Sequence, residues 1–441
     1  AGGVYEAVQL QPLALAEIAE LVGDPLHCDQ AAAVPLATLL QTKTGGNPFF
    51  LGEFLRTLYR DRLITFNGEQ GQWQWDLSAI QQRNVTDNLV DMLATGLQQL
   101  PLASQRVLQY AACMGTPFDL RSLAQVLEQP LTLTAEQLWE ALQAEVVLPV
   151  GETYRLTSVA SLSDRPLRYR FAHDRIQQAA YSLLPQAERV AVHYRVGRRL
   201  LELASQEQET DRLFQIVNQL NLGQVEASEE QVILVGLNLR AGRQAKASAA
   251  YDTALTYLQR ALALLGCQGW HEHPRLAADL HQEAAEVACL CGQYPLMSEL
   301  TAEALAHVWT LEQRTALHLI QLQATILQNQ PYQAVHQALP LLQPLGMRFP
   351  RRWRMAYVIT GLMATRLRLM GWSDQALRSL PAMTDPQRLA VMALLERIGT
   401  SAYVATPDLS PLITFRILQW SLRYGYAAPT PMAFASYGLV M

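Results

Sequence analysis

Residues 241–265 read Ala-Gly-Arg-Gln-Ala-Lys-Ala-Ser-Ala-Ala-Tyr-Asp-Thr-Ala-Leu-Thr-Tyr-Leu-Gln-Arg-Ala-Leu-Ala-Leu-Leu. Gly242, Ala254 and Ala261 are small residues, and Leu258 lies between the two alanines. Small side chains at these offsets allow two paired helices to approach closely. The stretch therefore predicts a pair of packed helices, and the chain around it lacks strand patterns.

Weaker copies of this pattern follow along the chain. They occur at Gly292 with Ala304, around Asn329 with Tyr332, and at Gly371 with Asp374. The pattern is that of a tetratricopeptide unit, although the spacing is irregular and longer than the roughly 34 residues of a regular repeat. We expect residues 201–441 to form an imprecise, tetratricopeptide-like α-solenoid, whose concave face would bind a protein or small-molecule ligand.

Composition bounds the remaining possibilities. The chain has 441 residues, of which 50% are hydrophobic and 17% charged, and its formal net charge is -5. These values predict about three globular domains. A general nucleic-acid or anionic-membrane binder more often carries a positive excess, so the overall charge disfavours both roles.

Cysteine usage and hydropathy point to the cytoplasm. The five cysteines form a sparse, odd-numbered set that does not resemble a secreted disulfide framework. The longest apolar run, 355–364, is shorter than the ~20 residues of a membrane span. No signal peptide opens the chain. Because it begins without Met, we interpret it as an internal part of a longer cytoplasmic protein.

Residues 1–200 have a different pattern of predicted helices and strands from the solenoid. Residues 4–10 predict a strand, and 11–99 predict a helical region with one β-hairpin formed by 63–66 and 73–75.

Between residues 100 and 200, helices at 102–113, 119–128 and 134–145 precede strands at 146–150 and 167–171. This is the order of a winged-helix domain. Its third helical stretch carries Glu136, Glu140 and Glu145 and no basic residue, which disfavours direct DNA reading. The fold class is therefore mainly α.

A phosphate-binding loop is excluded by the positions of the two lysines. The motif G-x-x-x-x-G-K-[ST] requires Gly immediately before Lys. Lys43 precedes its glycines, and Lys246 follows Ala245. The simplest interpretation of 45–48, Gly-Gly-Asn-Pro, is a tight turn between two helices.

The longer stretch 44–55, Thr-Gly-Gly-Asn-Pro-Phe-Phe-Leu-Gly-Glu-Phe-Leu, resembles the helical lid of STAND-class AAA-type ATPases. In that class a Gly-x-Pro places the proline against the adenine ring. The resemblance assigns this role to Gly46, Asn47 and Pro48, and makes residues 4–10 the last strand of a nucleotide-binding core. It implies ATP or ADP as cofactor, bound only together with a core upstream of residue 1.

A second resemblance covers 171–183, Phe-Ala-His-Asp-Arg-Ile-Gln-Gln-Ala-Ala-Tyr-Ser-Leu. It is similar to a signature of these ATPases in which a histidine contacts the β-phosphate of ADP. The resemblance assigns that contact to His173, and Arg170 and Arg175 would add positive charge. The alternative is an ordinary helix start with Asp174 near the positive end of the dipole.

Residues 213–221 and 238–251 resemble the helical region of large bacterial, notably cyanobacterial, signalling kinases. In those proteins a Ser/Thr kinase precedes the ATPase, and a GAF domain with a histidine-kinase or cyclase output follows. The resemblance covers about residues 1–300. Kinase motifs do not occur in this sequence, so ATPase or kinase activity would belong to other parts of the parent protein.

Soft metal ligands are concentrated in one region, which contains Cys267, His271, His273, His281, Cys289 and Cys291. Their spacing does not give the two pairs of closely spaced ligands of a structural zinc site, so we expect no metal here. Catalytic constellations are not evident either.

Three functions stay open: a STAND-type sensor region in a signalling kinase, a helical-repeat scaffold without a nucleotide role, and part of an ATP-dependent transcription activator.

Overall fold

A computed structural model describes residues 11–68, 72–82, 89–151, 167–204, 206–225, 228–350 and 355–440. The predicted strand at 4–10 lies outside these ranges. The chain forms two compact units, Ala1–Ala204 and Ser205–Met441. Both are built mainly from helices, which confirms the predicted fold class.

The first unit begins with helices and one hairpin: α1 (Leu15–Leu26), α2 (Gln30–Thr44), α3 (Pro48–Arg60), β1 (Ile64–Asn67), β2 (Gln72–Trp75), α4 (Leu77–Gln82) and α5 (Leu89–Leu97). Helices α1 to α3 bury an apolar core that includes Ile18, Leu36 and Phe54. Strands β1 and β2 pair antiparallel, with Ile64 opposite Trp75. The hairpin lies where the sequence predicted it.

The unit continues with α6 (Leu102–Met114), β3 (Phe118–Asp119), α7 (Leu120–Val126), α8 (Leu131–Gln143), β4 (Val147–Pro149), β5 (Arg168–Phe171), α9 (Asp174–Ser182) and α10 (Gln186–Leu203). The three strands form an antiparallel sheet in the order β3-β5-β4.

The helix predicted at 119–128 corresponds to α7. Its predicted start, residue 119, is one residue before the observed start at Leu120. Asp119 is the N-cap of α7, because its carboxylate accepts from the Ser122 amide at 2.9 Å, and its backbone is extended in β3.

The second unit consists of helices: α11 (Gln206–Leu222), α12 (Ser228–Ala247), α13 (Tyr251–Leu265), α14 (Gly269–Glu272), α15 (Pro274–Leu290), α16 (Tyr294–His307), α17 (Leu311–Leu327), α18 (Pro331–Leu342), α19 (Met355–Leu369), α20 (Asp374–Arg378), α21 (Pro386–Ala405), α22 (Ser410–Tyr424) and α23 (Thr430–Val440). Neighbouring helices in sequence pack as pairs, notably α12 with α13 and α15 with α16.

Three of the turns between paired helices share one geometry. Ala249, Gly292 and Asn329 each have a positive φ, between 57° and 73°. In each turn the next amide donates to the carbonyl five residues earlier, at 2.9, 2.8 and 3.1 Å respectively. This is the Schellman arrangement, which satisfies the last carbonyls of the first helix. Residues 292 and 329 are two of the positions where the sequence pattern repeats.

The third weak copy does not produce a comparable helix pair. After Gly371, helix α20 is only five residues long. The chain then runs through an isolated parallel bridge between Ala382 and Tyr426 before α21 begins. The Gly371–Asp374 pattern therefore marks a helix start without a full repeat.

A charged cluster joins α12 to α15. Arg243 and Lys246 contact Glu283 at 2.8 and 2.6 Å, and Lys246 also contacts Glu286 at 3.1 Å. Burial opposes ionisation of Glu283, but hydrogen bonds from Lys246 and Arg243 outweigh it, and the pKa of Glu283 is lowered. Although burial also disfavours the Lys246 cation, its bonds to Glu283 and Glu286 raise the pKa of Lys246. Lys246 thus contributes to packing between helices.

The close approach of α12 and α13 depends on Gly242. A Cβ atom at this position would lie 2.7 Å from Cγ of the buried Leu258, whereas one at Gly236 on the same helix would meet nothing within 4 Å. We expect Gly242→Ala to destabilise the protein by about 1–3 kcal/mol through overpacking. Gly236→Ala should stabilise it by up to about 1 kcal/mol through helix propensity.

Urea unfolding of both variants measures the difference. Gly242 would have no packing role if the two substitutions changed the free energy of unfolding equally, or if Gly242→Ala also stabilised the protein.

Candidate functional site

The turn between α2 and α3 holds the first predicted site residue, Gly46. The Gly46 carbonyl accepts from the Leu13 amide at 2.8 Å. Gly46 has φ of 77°, and a Cβ atom on it would lie 2.5 Å from the Leu13 carbonyl oxygen. Glycine is therefore required here by close backbone packing against the residues that precede α1.

Asn47 and Pro48 begin helix α3. The Asn47 carbonyl accepts from the Leu51 amide at 3.0 Å, and its side-chain Oδ1 lies 3.5 Å from the Phe50 amide nitrogen. Pro48 is the first residue of the helix, where its fixed φ is favourable and its missing N–H costs nothing. Pro48 is exposed. The motif thus forms the tight turn between two helices that the sequence predicted, with the proline ring on the surface.

His173 begins helix α9. Its Nδ1 accepts from the Arg175 amide at 3.1 Å, so the imidazole acts as the N-cap of the helix. When Nδ1 is the acceptor of a neutral imidazole, the proton lies on Nε2, which is then a hydrogen-bond donor. His173 is half-buried, while Asp174 and Arg175 are exposed. Arg175 also donates to the side chain of Gln178 at 2.8 Å.

The rest of the 171–183 motif fixes α9 in place. Gln177 donates to the Ala112 carbonyl of α6 at 3.1 Å. The Tyr181 hydroxyl lies 3.0 Å from Nε2 of His193 on α10, and the Arg189 guanidinium lies 4.8 Å from the centre of the Tyr181 ring. These residues have structural roles, so the exposed residues at the start of the helix are the ones available for binding.

The structure brings the two predicted segments together. The Phe50 ring centroid lies 5.4 Å from that of His173, with the planes tilted by 59°. Phe50 is in the first turn of α3, two residues after Pro48, and its side chain is 7% exposed. Phe50 belongs to the lid motif, but the resemblance assigns it no role. A large aromatic next to the motif was the available signal.

Two further features lie beside helix α3. Arg56 of α3 forms an ion pair with Glu145, just after α8, at 3.2 Å, and both side chains are mostly exposed. A cavity of about 170 Å³ lies beside this pair, lined by residues of α3, α5 and α9 that include Thr57, Leu97 and Ile176. An exposed ion pair contributes little to stability, so apolar packing holds these helices together.

The predicted soft ligands do not converge. Cys267 is exposed, whereas Cys289 is buried. His281 Nδ1 lies 2.7 Å from the Ala277 carbonyl, and its ring centroid lies 4.6 Å from that of Trp270. Within the described ranges, no group of three His, Cys, Asp or Glu residues is arranged to hold a metal ion.

Burial raises the pKa of several thiols, because it disfavours the charged thiolate. It raises the pKa of Cys113 to about 12, against a smaller opposing effect of Arg189. It raises the pKa of Cys289 and Cys291 as well.

The second unit contains a groove made of three adjoining cavities. They have volumes of about 370, 730 and 380 Å³. The first and second share Leu319, Gln323 and Arg397, and the second and third share Glu396 and Thr400. Arg397 donates to Gln323 at 2.5 Å. We call this the solenoid groove; helices α15, α17, α18, α21, α22 and α23 line it.

Comparison with known proteins gives two similarities. No family model matches the chain. The chain is 29% identical over 347 residues to hybrid signal transduction histidine kinase G of Dictyostelium discoideum, and the match covers 68% of this chain and 10% of that protein. The chain therefore spans about a tenth of the length of this relative.

Among solved structures, a STAND protein with a tetratricopeptide repeat sensor from Pyrococcus horikoshii is similar over 94% of this chain and 62% of its own. The identity is 11% and the TM-score 0.33. The relative's name places it among signalling kinases, the class that the sequence motifs indicated.

His173 provides a stability test of its capping role. We expect His173→Ala to destabilise the first unit by about 1 kcal/mol, because the Arg175 amide loses its acceptor. His173→Asn should cost less than about 0.5 kcal/mol, since the asparagine oxygen is a good N-cap acceptor.

Thermal unfolding of the two variants measures this difference. An asparagine variant as unstable as the alanine variant would rule out capping as the stabilising contribution of His173.

Proposed function

We propose that this chain is the lid and sensor region of a STAND-class AAA-type ATPase within a larger cytoplasmic signalling kinase. The observation that carries the proposal is the contact between Phe50 and His173. It joins the two segments that resemble nucleotide-contacting motifs, although about 125 residues separate them in the sequence. The contact therefore places the two helix starts next to each other in the first unit.

The chemistry of the two helix starts suits the two ends of ADP. Pro48 offers an exposed apolar ring to an adenine base. His173 offers an Nε2–H donor to a phosphate oxygen, and the exposed Arg170 and Arg175 add positive charge nearby. The start of each helix is also the positive end of its dipole, which favours a negatively charged ligand. These residues would complete a nucleotide site whose phosphate loop is supplied by a core upstream of residue 1.

In this proposal the α6–β5 region is the winged helix that packs on the lid. Its α8 carries Glu136 and Glu140, and Glu145 pairs with Arg56 of the lid helix α3. This contact fits a packing role rather than DNA binding, since carboxylates repel phosphates. The transcription-activator alternative would therefore need a DNA-binding domain elsewhere in its polypeptide.

The solenoid groove is the proposed sensor surface. It combines apolar side chains such as Leu319 and Val404 with the charged groups Glu396 and Arg397. Grooves with an apolar lining and a few polar groups suit specific ligands. A ligand that binds the groove more tightly in the open form of the parent protein would shift its switch toward that form.

The output of the parent protein is proposed from the similarity to a hybrid histidine kinase and from the sequence motifs. A Ser/Thr kinase before this region and a histidine kinase or cyclase after it would complete the signalling chain. The competing function is a helical-repeat scaffold without a nucleotide role. The helix-capping contacts of Asn47 and His173 favour that alternative, because they explain both residues structurally.

A nucleotide-retention experiment separates these functions. The full-length encoded protein is purified, and its bound ADP is quantified over time after dilution. We expect His173→Ala and His173→Asn both to release ADP about ten- to a hundredfold faster, the range expected for losing one hydrogen bond to a charged group. Pro48→Ala should also weaken retention.

Pro274→Ala is the matched control, because Pro274 is likewise an exposed first residue of a helix. Retention restored to the wild-type level by His173→Asn would assign His173 to capping alone and favour the scaffold. If the Pro48→Ala variant retained ADP as long as the wild type, Pro48 would not contact the adenine ring.

A further inference from the structure

Helix α19 has one face that belongs to the core of the second unit. Val358, Leu362 and Leu369 pack against the apolar core around α22. Gln419 of α22 donates to the Thr365 hydroxyl at 2.9 Å. A Cβ atom on Gly361 would lie 2.8 Å from the Phe415 ring, so the two helices are in close contact. This face fixes the orientation of the helix.

A second apolar face of α19 points to solvent. It consists of side chains that are 50–76% exposed: Met355, Ile359, Met363, Leu367 and, one residue beyond the helix, Met370. Residues three or four apart lie on adjacent turns of a helix, so these five form a continuous stripe. At 1.5 Å per residue the 15-residue helix is about 22 Å long. We call this surface the α19 stripe.

An exposed stripe of this length differs from scattered surface apolar residues, which are normal in soluble proteins. A surface helix ordinarily places polar residues opposite its buried face. In α19 the buried face and the exposed face are both apolar. Contiguous exposed apolar surface commonly indicates an interaction site.

The charge around the stripe identifies its partner. From Arg348 through Ser373 the sequence has no acidic residue and six arginines: Arg348, Arg351, Arg352, Arg354, Arg366 and Arg368. The whole chain has a net charge of -5, so this positive segment is a local exception. Arg348, Arg366 and Arg368 are exposed. Tyr357 and Trp372, near the two ends of the helix, are 46% and 37% exposed.

We propose that the α19 stripe docks on an anionic lipid bilayer surface. Met, Ile and Leu side chains would enter the boundary between headgroups and acyl chains. Arginines beside them would pair with lipid phosphates and carboxylates, and Tyr and Trp suit the interface. The helix would lie on the membrane without crossing it; among the described helices, none is long and apolar enough to span a bilayer.

A second copy of the chain fits the stripe less well. A two-fold symmetric contact would bring the same surface of both copies together. The arginines would then face arginines, and the sequence from 348 to 373 supplies no carboxylate to neutralise them. An anionic lipid surface removes this repulsion.

Vesicle co-sedimentation tests the proposal. The purified chain is mixed with vesicles of phosphatidylcholine, with or without phosphatidylserine. We expect binding only to the vesicles that contain phosphatidylserine, and weaker binding at high salt. Met363→Glu, which places a charge in the α19 stripe, should lower the partition coefficient at least about tenfold. Arg366→Glu should do the same, since each arginine near the surface contributes about 1 kcal/mol to the free energy of membrane binding.

Two matched controls carry the same charge changes elsewhere. Met432→Glu replaces a methionine of α23 that is 73% exposed, and Arg275→Glu replaces an exposed arginine of α15. Both should bind nearly as wild type, and circular dichroism with thermal unfolding establishes that all four variants fold.

Three results would overturn the proposal. They are no binding by the wild-type chain, equal binding to both kinds of vesicle, and equal losses in Met363→Glu and Met432→Glu. A dimer that Met363→Glu dissociates, without vesicle binding, would assign the stripe to a second copy instead.

Discussion

Packing between Phe50 and His173 is the contact on which the account of the first unit depends. Each residue lies at the start of a helix, and each helix is anchored independently of the other. Gly46 ties the start of α3 to the backbone of Leu13. Gln177 and Tyr181 tie α9 to α6 and α10. Because both helices are fixed in this way, their starts meet as preformed structures rather than as flexible loops.

The same residues have structural and proposed functional roles, and the physics allows both. An N-cap histidine that accepts through Nδ1 carries its proton on Nε2, so capping also prepares a hydrogen-bond donor. A proline at the first helical position stabilises α3 and presents an apolar ring on the surface. A structural role therefore does not exclude a nucleotide contact by the same residue. This role explains why substitutions must keep the cap while they remove the imidazole.

Much of the fold could be predicted from local sequence. Gly242 and Leu258 predict a close helix pair, and in the structure a Cβ atom at 242 would lie 2.7 Å from Cγ of Leu258. The hairpin and the helices of the first unit follow from patterns of period two and 3.6. Residue 119 was misassigned to a helix, because an N-cap aspartate borders the helix while its own backbone is extended. The Gly371 pattern failed because a turn signal does not determine the length of the next helix.

The candidate site could be predicted only in part, for a different physical reason. Motif resemblance identified 46–48 and 173 separately, since each segment is local in sequence. Their meeting through Phe50 depends on the packing of α3, α5 and α9, which no local pattern encodes. The solenoid groove and the α19 stripe are likewise tertiary properties. Net charge disfavoured anionic surfaces for the whole chain, but the acid-free segment of the sequence includes α19, the helix whose exposed face is an apolar stripe.

Photo-crosslinking with 8-azido-ADP tests the central claim most directly, because it reports which residues surround the adenine. The full-length encoded protein is irradiated with the bound analogue, digested, and mapped by mass spectrometry. The account predicts labelling of the peptide that contains residues 46–50, and protection of that peptide by excess ADP. Saturable labelling elsewhere, with none in the lid peptide, would contradict the assignment of the α3 start to nucleotide binding.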